Sequence, residues 1–464
     1  MPAPPTGSTR GRCWDVARYA GMSRLAALLL GYVSNAIVSD YDSSASLSLP
    51  AQSSAAQGIV RRLAHVVVRW DAFYFKHIAE AGYVYEQEHA FFPLLPLVMR
   101  VFARTALAPL DGWLGPQLVL VLAGVLVSNV CFVLASVTLY KLGCGTLRSE
   151  RLAYAAALLF VLAPSNMFMS AVYTESLFAY LVFSALLLVT RRRYAWAAVV
   201  LCASTLCRAN GVVYAGFFWW DLVVQPCILR QRSSQKPAAL RWFVGLAVQA
   251  ARATALTAVA ALGFVAFQAL GRQMLCDHQQ AVPQNHDMRP YCSGVATVYG
   301  FVQAHYWDVG FMRYYTPNQI PNFALAVPMV VLALCGIWAY VVSDPVRAAT
   351  LGMRSHKAEG ANGALLGSAY LGDSLLPHMY LWALLLFVAV TTMHVQVITR
   401  FFSSVPAVFW YAAHAVCGSA SASAGAGASG GDPGRSWRRR AVVWYFVGYG
   451  MAGVVLFSNF FPPA

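Results

Sequence analysis

Long apolar runs recur along this chain, and they constrain its fold more than any other feature. Leu118–Tyr140, Phe323–Val342 and Ala441–Phe460 are each long enough to cross about 30 Å of hydrocarbon as a helix. Hydrophobic residues make up 59% of the 464 residues and charged residues only 11%, whereas soluble domains carry about 25% charged residues. Because backbone groups must be hydrogen-bonded inside a bilayer, and these runs are apolar all round, we expect spanning helices and exclude a β-barrel.

The runs predict an all-α polytopic membrane protein with about eleven transmembrane helices. The predicted apolar segments are 22–39, 114–140, 152–163, 176–190, 194–207, 211–229, 244–270, 323–343, 376–393, 403–417 and 441–461. Residues 1–21 precede them as a polar tail, so we predict one membrane domain over 22–461.

The basic residues orient this arrangement. The net charge is +15, but Lys and Arg lie in short clusters between apolar runs, as in membrane proteins, so nucleic-acid binding is not expected. Placing the N-terminus in the cytosol puts most clusters on the cytosolic side. Loops 40–113 and 271–322 then face the lumen, and the Gly/Ala/Ser-rich stretch within 418–440 is a flexible cytosolic linker.

The segment after the first span concentrates aromatic and acidic residues. Trp70 and Asp71 open a predicted short interfacial helix, and Glu86 and Glu88 follow. The plainer interpretation is that Asp71 caps this helix and the glutamates are solvated. The functional interpretation is that Asp71 is held where water meets lipid and takes the proton of a sugar hydroxyl as general base.

Five sequence blocks in order resemble the GPI second-mannosyltransferase (PIG-V-like) family. The blocks are the Trp70–Pro93 region with its Ala-Phe-Phe-Pro end, Tyr173–Phe178, Arg208–Gly211, His305–Phe323 and His394–Phe401. The resemblance covers about 22–461 of the chain, and any one block alone would be modest support for it.

The resemblance implies a GT-C-type glycosyltransferase of the endoplasmic reticulum membrane with a luminal active site. It implies transfer of the second, α1,6-linked mannose from dolichyl-phosphate-mannose to a one-mannose GPI-anchor precursor. Asp71 takes the catalytic position, and inversion would need no covalent intermediate. No cofactor is implied beyond the lipid donor, and a small membrane partner subunit is a further expectation.

Several polar residues in the matched blocks are predicted to bind substrate. They are Trp70, Glu86, Glu175, Arg208, Asn210, Gln319, His394, Gln396 and Arg400. Glu175 is either simply solvated or supports Asp71. Arg208 and Arg400 either extend to the interface or bind the donor phosphate, with Arg400 favoured and Arg313 third.

Cys276 and Cys292 lie in the predicted luminal loop 271–322, where the compartment permits a disulfide. The acidic and histidine residues near them suggest solvated loop, and we predict no metal site.

Two other functions remain open on the sequence. A different dolichyl-phosphate-sugar transferase of the same fold, for example in N-glycan precursor assembly, is the nearer alternative. A lipid or solute transporter is the other, but the acids cluster in loops and no repeated halves are visible.

Overall fold

The computed structural model describes residues 7–41, 55–233, 238–279, 289–354, 369–418 and 433–462. Regular structure within these ranges is helical throughout. Most of the linker predicted within 418–440 lies outside them, as does the Ser/Ala-rich part of the 40–113 loop. Of the predicted tail 1–21, the described residues from Gly7 onward belong to the first helix.

The first ten α-helices carry the chain from its N-terminus to the middle of the sequence. In order they are α1 (Gly7–Ile37), α2 (Ala55–Val67), α3 (Ala72–Ala81), α4 (Leu94–Arg104), α5 (Asp111–Leu114), α6 (Pro116–Leu147), α7 (Glu150–Val161), α8 (Glu175–Thr190), α9 (Tyr194–Thr205) and α10 (Gly216–Trp219).

The second ten complete the described chain. They are α11 (Gln225–Arg232), α12 (Ala239–Gln279), α13 (Val298–Trp307), α14 (Ile320–Ser343), α15 (Pro345–Ala349), α16 (Leu376–Thr391), α17 (Ile398–Phe401), α18 (Pro406–Cys417), α19 (Pro433–Trp444) and α20 (Gly450–Ser458).

Each of the predicted apolar segments coincides with one of these helices or with a continuous run of them. Among the described residues, 6 helical stretches are long and apolar enough to cross a membrane. They are Pro116–Leu147, Ala209–Arg232, Ala239–Asp277, Pro317–Ser343, Asp373–Thr391 and Ser436–Ser458. The all-α, multi-pass class is therefore confirmed for the described chain, while the span count stays a prediction.

Three short helices have one terminus inside the protein, next to irregular backbone. Helix α7 stops at Val161, just before Pro164, because a proline disfavours helical geometry in the residue before it. Helix α9 stops at Thr205, and Arg208 is fully extended. Helix α18 starts only at Pro406, after a segment of single turns. The interrupted helices thus place non-helical segments in the interior, where side chains of different spans can meet.

A buried arginine stabilises one of these segments. Arg24 of α1 donates to the carbonyl oxygen of Asn166 at 2.7 Å and to the hydroxyl of Ser170 at 3.1 Å. Its guanidinium also lies 4.0 Å from the ring centroid of Phe132. Backbone that leaves a helix within a membrane protein needs such partners for its carbonyl groups, because no bulk water reaches it. Arg24 therefore helps to hold the bend that leads to Tyr173 and Glu175.

Candidate active site

A left-handed turn presents Asp71. Trp70 adopts φ 53°, a conformation uncommon for a residue other than glycine. The hydroxyl of the fully buried Tyr173 fixes the turn on both sides, since it accepts from the backbone N–H of Asp71 at 3.1 Å and donates to the carbonyl of Arg69 at 3.0 Å. The Trp70 ring packs on Phe460, with centroids 5.0 Å apart. The turn therefore fixes where the Asp71 side chain points.

The Asp71 carboxylate does not cap its helix. Asp71 stands at the N-cap of α3, but its side chain makes no capping hydrogen bond. Its Oδ2 atom instead lies 3.1 Å from Nη2 of Arg400, and 34% of its side chain is exposed. The capping interpretation of this side chain is therefore wrong, and the carboxylate is both held by a cation and open on one side.

Arg400 joins Asp71 to a second, buried acid. Its Nε atom donates to Oε1 of Glu175 at 2.8 Å, and Nη1 of Arg208 lies 3.0 Å from the same oxygen. The Glu175 side chain is 0% exposed, so the interpretation of Glu175 as a solvated boundary acid is wrong. Two acids and two guanidinium groups form one connected network, in which a buried charge is compensated by close partners.

The network keeps Arg400 charged. Arg400 lies between the apolar segments 376–393 and 403–417, and its guanidinium packs 4.5 Å from the ring centroid of Phe168. Burial by itself lowers the pKa of Arg400, but the carboxylates of Glu175 and Asp71 outweigh burial and hold that pKa above its ordinary value. Arg400 is thus a permanent cation beside Asp71.

Arg208 has more unused donors than Arg400. Arg208 directs Nη1 to Glu175 and to the Thr174 hydroxyl at 3.3 Å, while Arg400 uses both Nε and Nη2 on carboxylates. Among the described residues, neither the buried Nδ2 atom of Asn210 nor the Oε2 atom of Glu175 has a hydrogen-bond partner.

A second predicted group forms an uncharged chain of side chains. Asn322 Nδ2 donates to Oε1 of Gln319 at 2.6 Å and to the hydroxyl of Tyr314 at 2.9 Å. That hydroxyl donates to Oε1 of Gln396 at 2.5 Å. His394 stacks on Tyr314, with centroids 4.5 Å apart, and its Nε2 lies 2.7 Å from the carbonyl oxygen of Trp307. Gln319, His394 and Gln396 therefore lie together, with Tyr314 and Asn322, which sequence reasoning did not single out.

Glu86 belongs to a third group. Its Oε1 accepts from the hydroxyl of Tyr291 at 2.5 Å, and its Oε2 accepts from Tyr306 at 2.7 Å and from Arg289 at 3.3 Å. The structure therefore ties Glu86 to the segment around α13 and not to Asp71 by any contact among the described residues. Its predicted role in substrate binding stays a prediction.

The same segment carries the cysteine pair. Cys276 and Cys292 are joined by a disulfide, with Cα atoms 5.7 Å apart. Cys276 lies near the end of the 41-residue helix α12, which extends about 60 Å at 1.5 Å per residue, well beyond a bilayer core.

Arg313 pairs with Asp308 at 3.3 Å, and both side chains are largely exposed. Arg313 does not contact the Asp71 network.

Tyr173 is the residue of this site that sequence reasoning missed most clearly. It directly precedes Thr174 and Glu175 in one of the sequence blocks, so its proximity to an acid was visible. Its hydroxyl, however, acts on a turn 102 positions away, and no local pattern carries that pairing.

Comparison with known proteins places these residues in a family context. The sequence profile of the family described as mannosyltransferase (PIG-V) matches residues 13–464. The GPI alpha-1,6-mannosyltransferase 2 of Cricetulus griseus is 35% identical over 429 residues, which cover 86% of this chain and 83% of that protein. The enzyme of the same name from Mus musculus is 32% identical, with 97% and 98% covered.

A fungal relative and one solved structure extend the comparison. GPI mannosyltransferase 2 of Chaetomium globosum is 32% identical and covers 95% of this chain and 93% of its own length. The archaeal oligosaccharyltransferase AglB from Archaeoglobus fulgidus, solved with an inhibitory peptide and a dolichol-phosphate, aligns with a TM-score of 0.44 at 12% identity. That alignment covers 95% of this chain and 56% of AglB.

Proposed function

The chain belongs to the PIG-V family of mannosyltransferases, and on that premise we propose that it adds the second, α1,6-linked mannose to a GPI-anchor precursor. The observation that carries the proposal is the near full-length match to relatives named GPI alpha-1,6-mannosyltransferase 2. The pairing of Asp71 with Arg400, next to Glu175 and Arg208, supplies a site with the right chemistry.

The proposed donor is dolichyl-phosphate-mannose, and the proposed reaction is a single displacement with inversion. The acceptor hydroxyl oxygen forms a bond to the anomeric carbon as the bond from that carbon to the phosphate oxygen breaks. The hydroxyl proton passes to Oδ1 of Asp71, the oxygen other than the Oδ2 that faces Arg400, and dolichyl phosphate leaves as the anion. A positioned carboxylate of this kind accelerates a reaction about 10²- to 10⁴-fold as general base.

Arg208 is the proposed phosphate partner. A guanidinium matches phosphate oxygens with two parallel donors, and Arg208 has donors that no carboxylate occupies. Arg400 instead holds Asp71 in place. This assignment reverses the preference for Arg400 drawn from the sequence, because the sequence could not reveal that Arg400 already contacts two acids.

A transfer assay tests the function. Microsomes from a strain that lacks this protein should accumulate a one-mannose GPI intermediate, and the returned wild-type chain should convert it when dolichyl-phosphate-mannose is supplied. Truncated N-glycans with normal GPI intermediates would contradict the proposal and favour a transferase of N-glycan precursor assembly.

The family resemblance also implies a small membrane partner subunit, which should co-purify with the tagged chain from the same microsomes.

The proposed location is the endoplasmic reticulum membrane, with a cytosolic N-terminus and a luminal active site. The Lys and Arg clusters support this orientation. The contacts of Asp71, Glu175, Arg208 and Arg400 agree with one requirement of this orientation, that all four lie on the same side of the bilayer.

Glycosylation tags test the orientation. An acceptor sequence for N-glycosylation inserted after Ser53 should be modified, because the proposal places residues 40–113 in the lumen. The same insertion after Ser421 should stay unmodified, which a mobility shift sensitive to endoglycosidase will report. Modification of the second tag and not the first would invert the arrangement.

A further inference from the structure

We propose that Tyr314, Asn322 and Gln396 form the subsite that binds sugar hydroxyl groups of the acceptor glycan beside Asp71. The inference rests on the proposed function and specifies which of the two substrates these residues contact. The donor phosphate is assigned to a different part of the site.

The three side chains are already arranged as a polar relay. Asn322 donates to the Tyr314 hydroxyl at 2.9 Å, and that hydroxyl donates to Gln396 at 2.5 Å. In this arrangement Gln396 keeps its Nε2 donors and Asn322 keeps its Oδ1 acceptor without a protein partner among the described contacts. All three side chains are half-buried and so remain accessible. Side-chain amides offer one acceptor and two donors, which suits neighbouring hydroxyl groups of a sugar ring.

The relay adjoins the catalytic network through one short segment. Gln396 and Arg400 are one helical turn apart within 395–401, a spacing that places side chains on the same face. Arg400 in turn contacts Asp71 at 3.1 Å. The proposed ligand of Gln396 accordingly lies on the face of this segment that carries Arg400.

Aromatic side chains connect the relay to Asp71 by a second route. Tyr74, one turn after Asp71 on α3, stacks on Phe91 with centroids 4.4 Å apart, and Trp307 packs against both rings at 6.2 and 5.8 Å. His394 links the Trp307 carbonyl to the Tyr314 ring. The three rings are half-buried, so ring surface is available to the apolar C–H face of a sugar.

Charge separates this subsite from the donor phosphate. Tyr314, Asn322 and Gln396 are uncharged and suit a neutral glycan, whereas Arg208 and Arg400 suit an anion. Among the described residues, Arg208 is joined to Asp71 through Glu175 and Arg400, while Gln396 precedes Arg400 by four positions. Inversion needs the nucleophile and the leaving group on opposite faces of the sugar that is transferred. The proposal therefore assigns the acceptor hydroxyl to the relay and the phosphate to Arg208, on opposite faces of that sugar.

Two adjacent tyrosines provide a matched test. Tyr314→Phe removes the hydroxyl at the centre of the relay and is expected to raise KM for the GPI acceptor about tenfold, the effect of losing one hydrogen bond to a bound ligand, with KM for dolichyl-phosphate-mannose unchanged. Tyr315→Phe removes a hydroxyl that donates to the Val390 carbonyl and is expected to leave both constants unchanged. Both are measured with the full-length enzyme in detergent, varying one substrate at a time.

Gln396→Ala keeps the test decisive if Tyr314→Phe does not fold. Removal of this half-buried side chain should raise the acceptor KM in the same way. Active variants with an unchanged acceptor KM overturn the subsite, and so does a rise in the donor KM alone. A wild-type enzyme with no transfer at all overturns the proposed function instead.

Discussion

Asp71→Asn is expected to lower kcat for mannose transfer about 10²- to 10⁴-fold, because an amide cannot accept the proton of the acceptor hydroxyl. The substitution preserves the size and shape of the side chain. It leaves the turn at Trp70 and the Tyr173 hydrogen bonds in place, since these involve backbone atoms. KM for each substrate should change little. Initial rates with purified enzyme and dolichyl-phosphate-mannose give both constants.

Loss of the ion pair should not account for that effect. The Asp71 side chain is only partly exposed, at 34%, but Arg400 keeps its contact with Glu175 when residue 71 is neutral. Asp111→Asn is the matched control, since Asp111 is an exposed acid in the same 40–113 loop and lies outside the Asp71 network. A folded Asp71→Asn enzyme that retains the kcat of the control would remove Asp71 from the role of base.

Much of the fold followed from apolar patterning. Each predicted apolar segment is helical, because a run of apolar residues in a bilayer must hydrogen-bond its own backbone. The short segments 152–163 and 194–207 were also visible, and they correspond to α7 and α9. The start of α1 at Gly7 was not predicted, since the polar residues before the first apolar run give no hydropathy signal.

The pairing within the site lay beyond sequence reasoning. Glu175 and Arg400 are 225 positions apart, and Asp71 and Arg400 are 329 apart. Charge counting placed these residues on one side of the membrane, which made contact possible. It could not decide which arginine meets which acid, because that depends on where α8, α9 and α17 begin and end in space.

Burial distinguishes Glu175 from Asp71, which the sequence alone does not. The sequence around a carboxylate at the end of a span does not show whether that carboxylate is exposed to water or buried. Glu175 is enclosed because the irregular backbone after α7 turns inward, where Arg24 donates to the carbonyl oxygen of Asn166. Asp71 stays open because it follows the left-handed turn at Trp70. The difference in exposure between the two carboxylates thus comes from backbone geometry.

Glu175→Gln is expected to destabilise the protein by about 3 kcal/mol, the lower end of the range for breaking a buried ion pair. The glutamine is neutral, so two guanidinium groups lose the carboxylate that compensates them in the interior. The effect stays near the lower end because Arg400 keeps Asp71, and Arg208 keeps the Thr174 hydroxyl. Thermal unfolding in detergent at a fixed scan rate measures it as a lower midpoint.

Glu80→Gln provides the comparison for this effect. Glu80 pairs with Lys76 at 2.6 Å on the surface of α3 with 39% of its side chain exposed, and exposed pairs at this helical spacing contribute about 0.3–0.5 kcal/mol. Glu175→Gln should therefore lower the midpoint far more than Glu80→Gln. Equal midpoints for the two variants would mean that Glu175 does not hold the arginines together. In that case the turn fixed by Tyr173 would position Asp71, and Asp71 would in turn position Arg400.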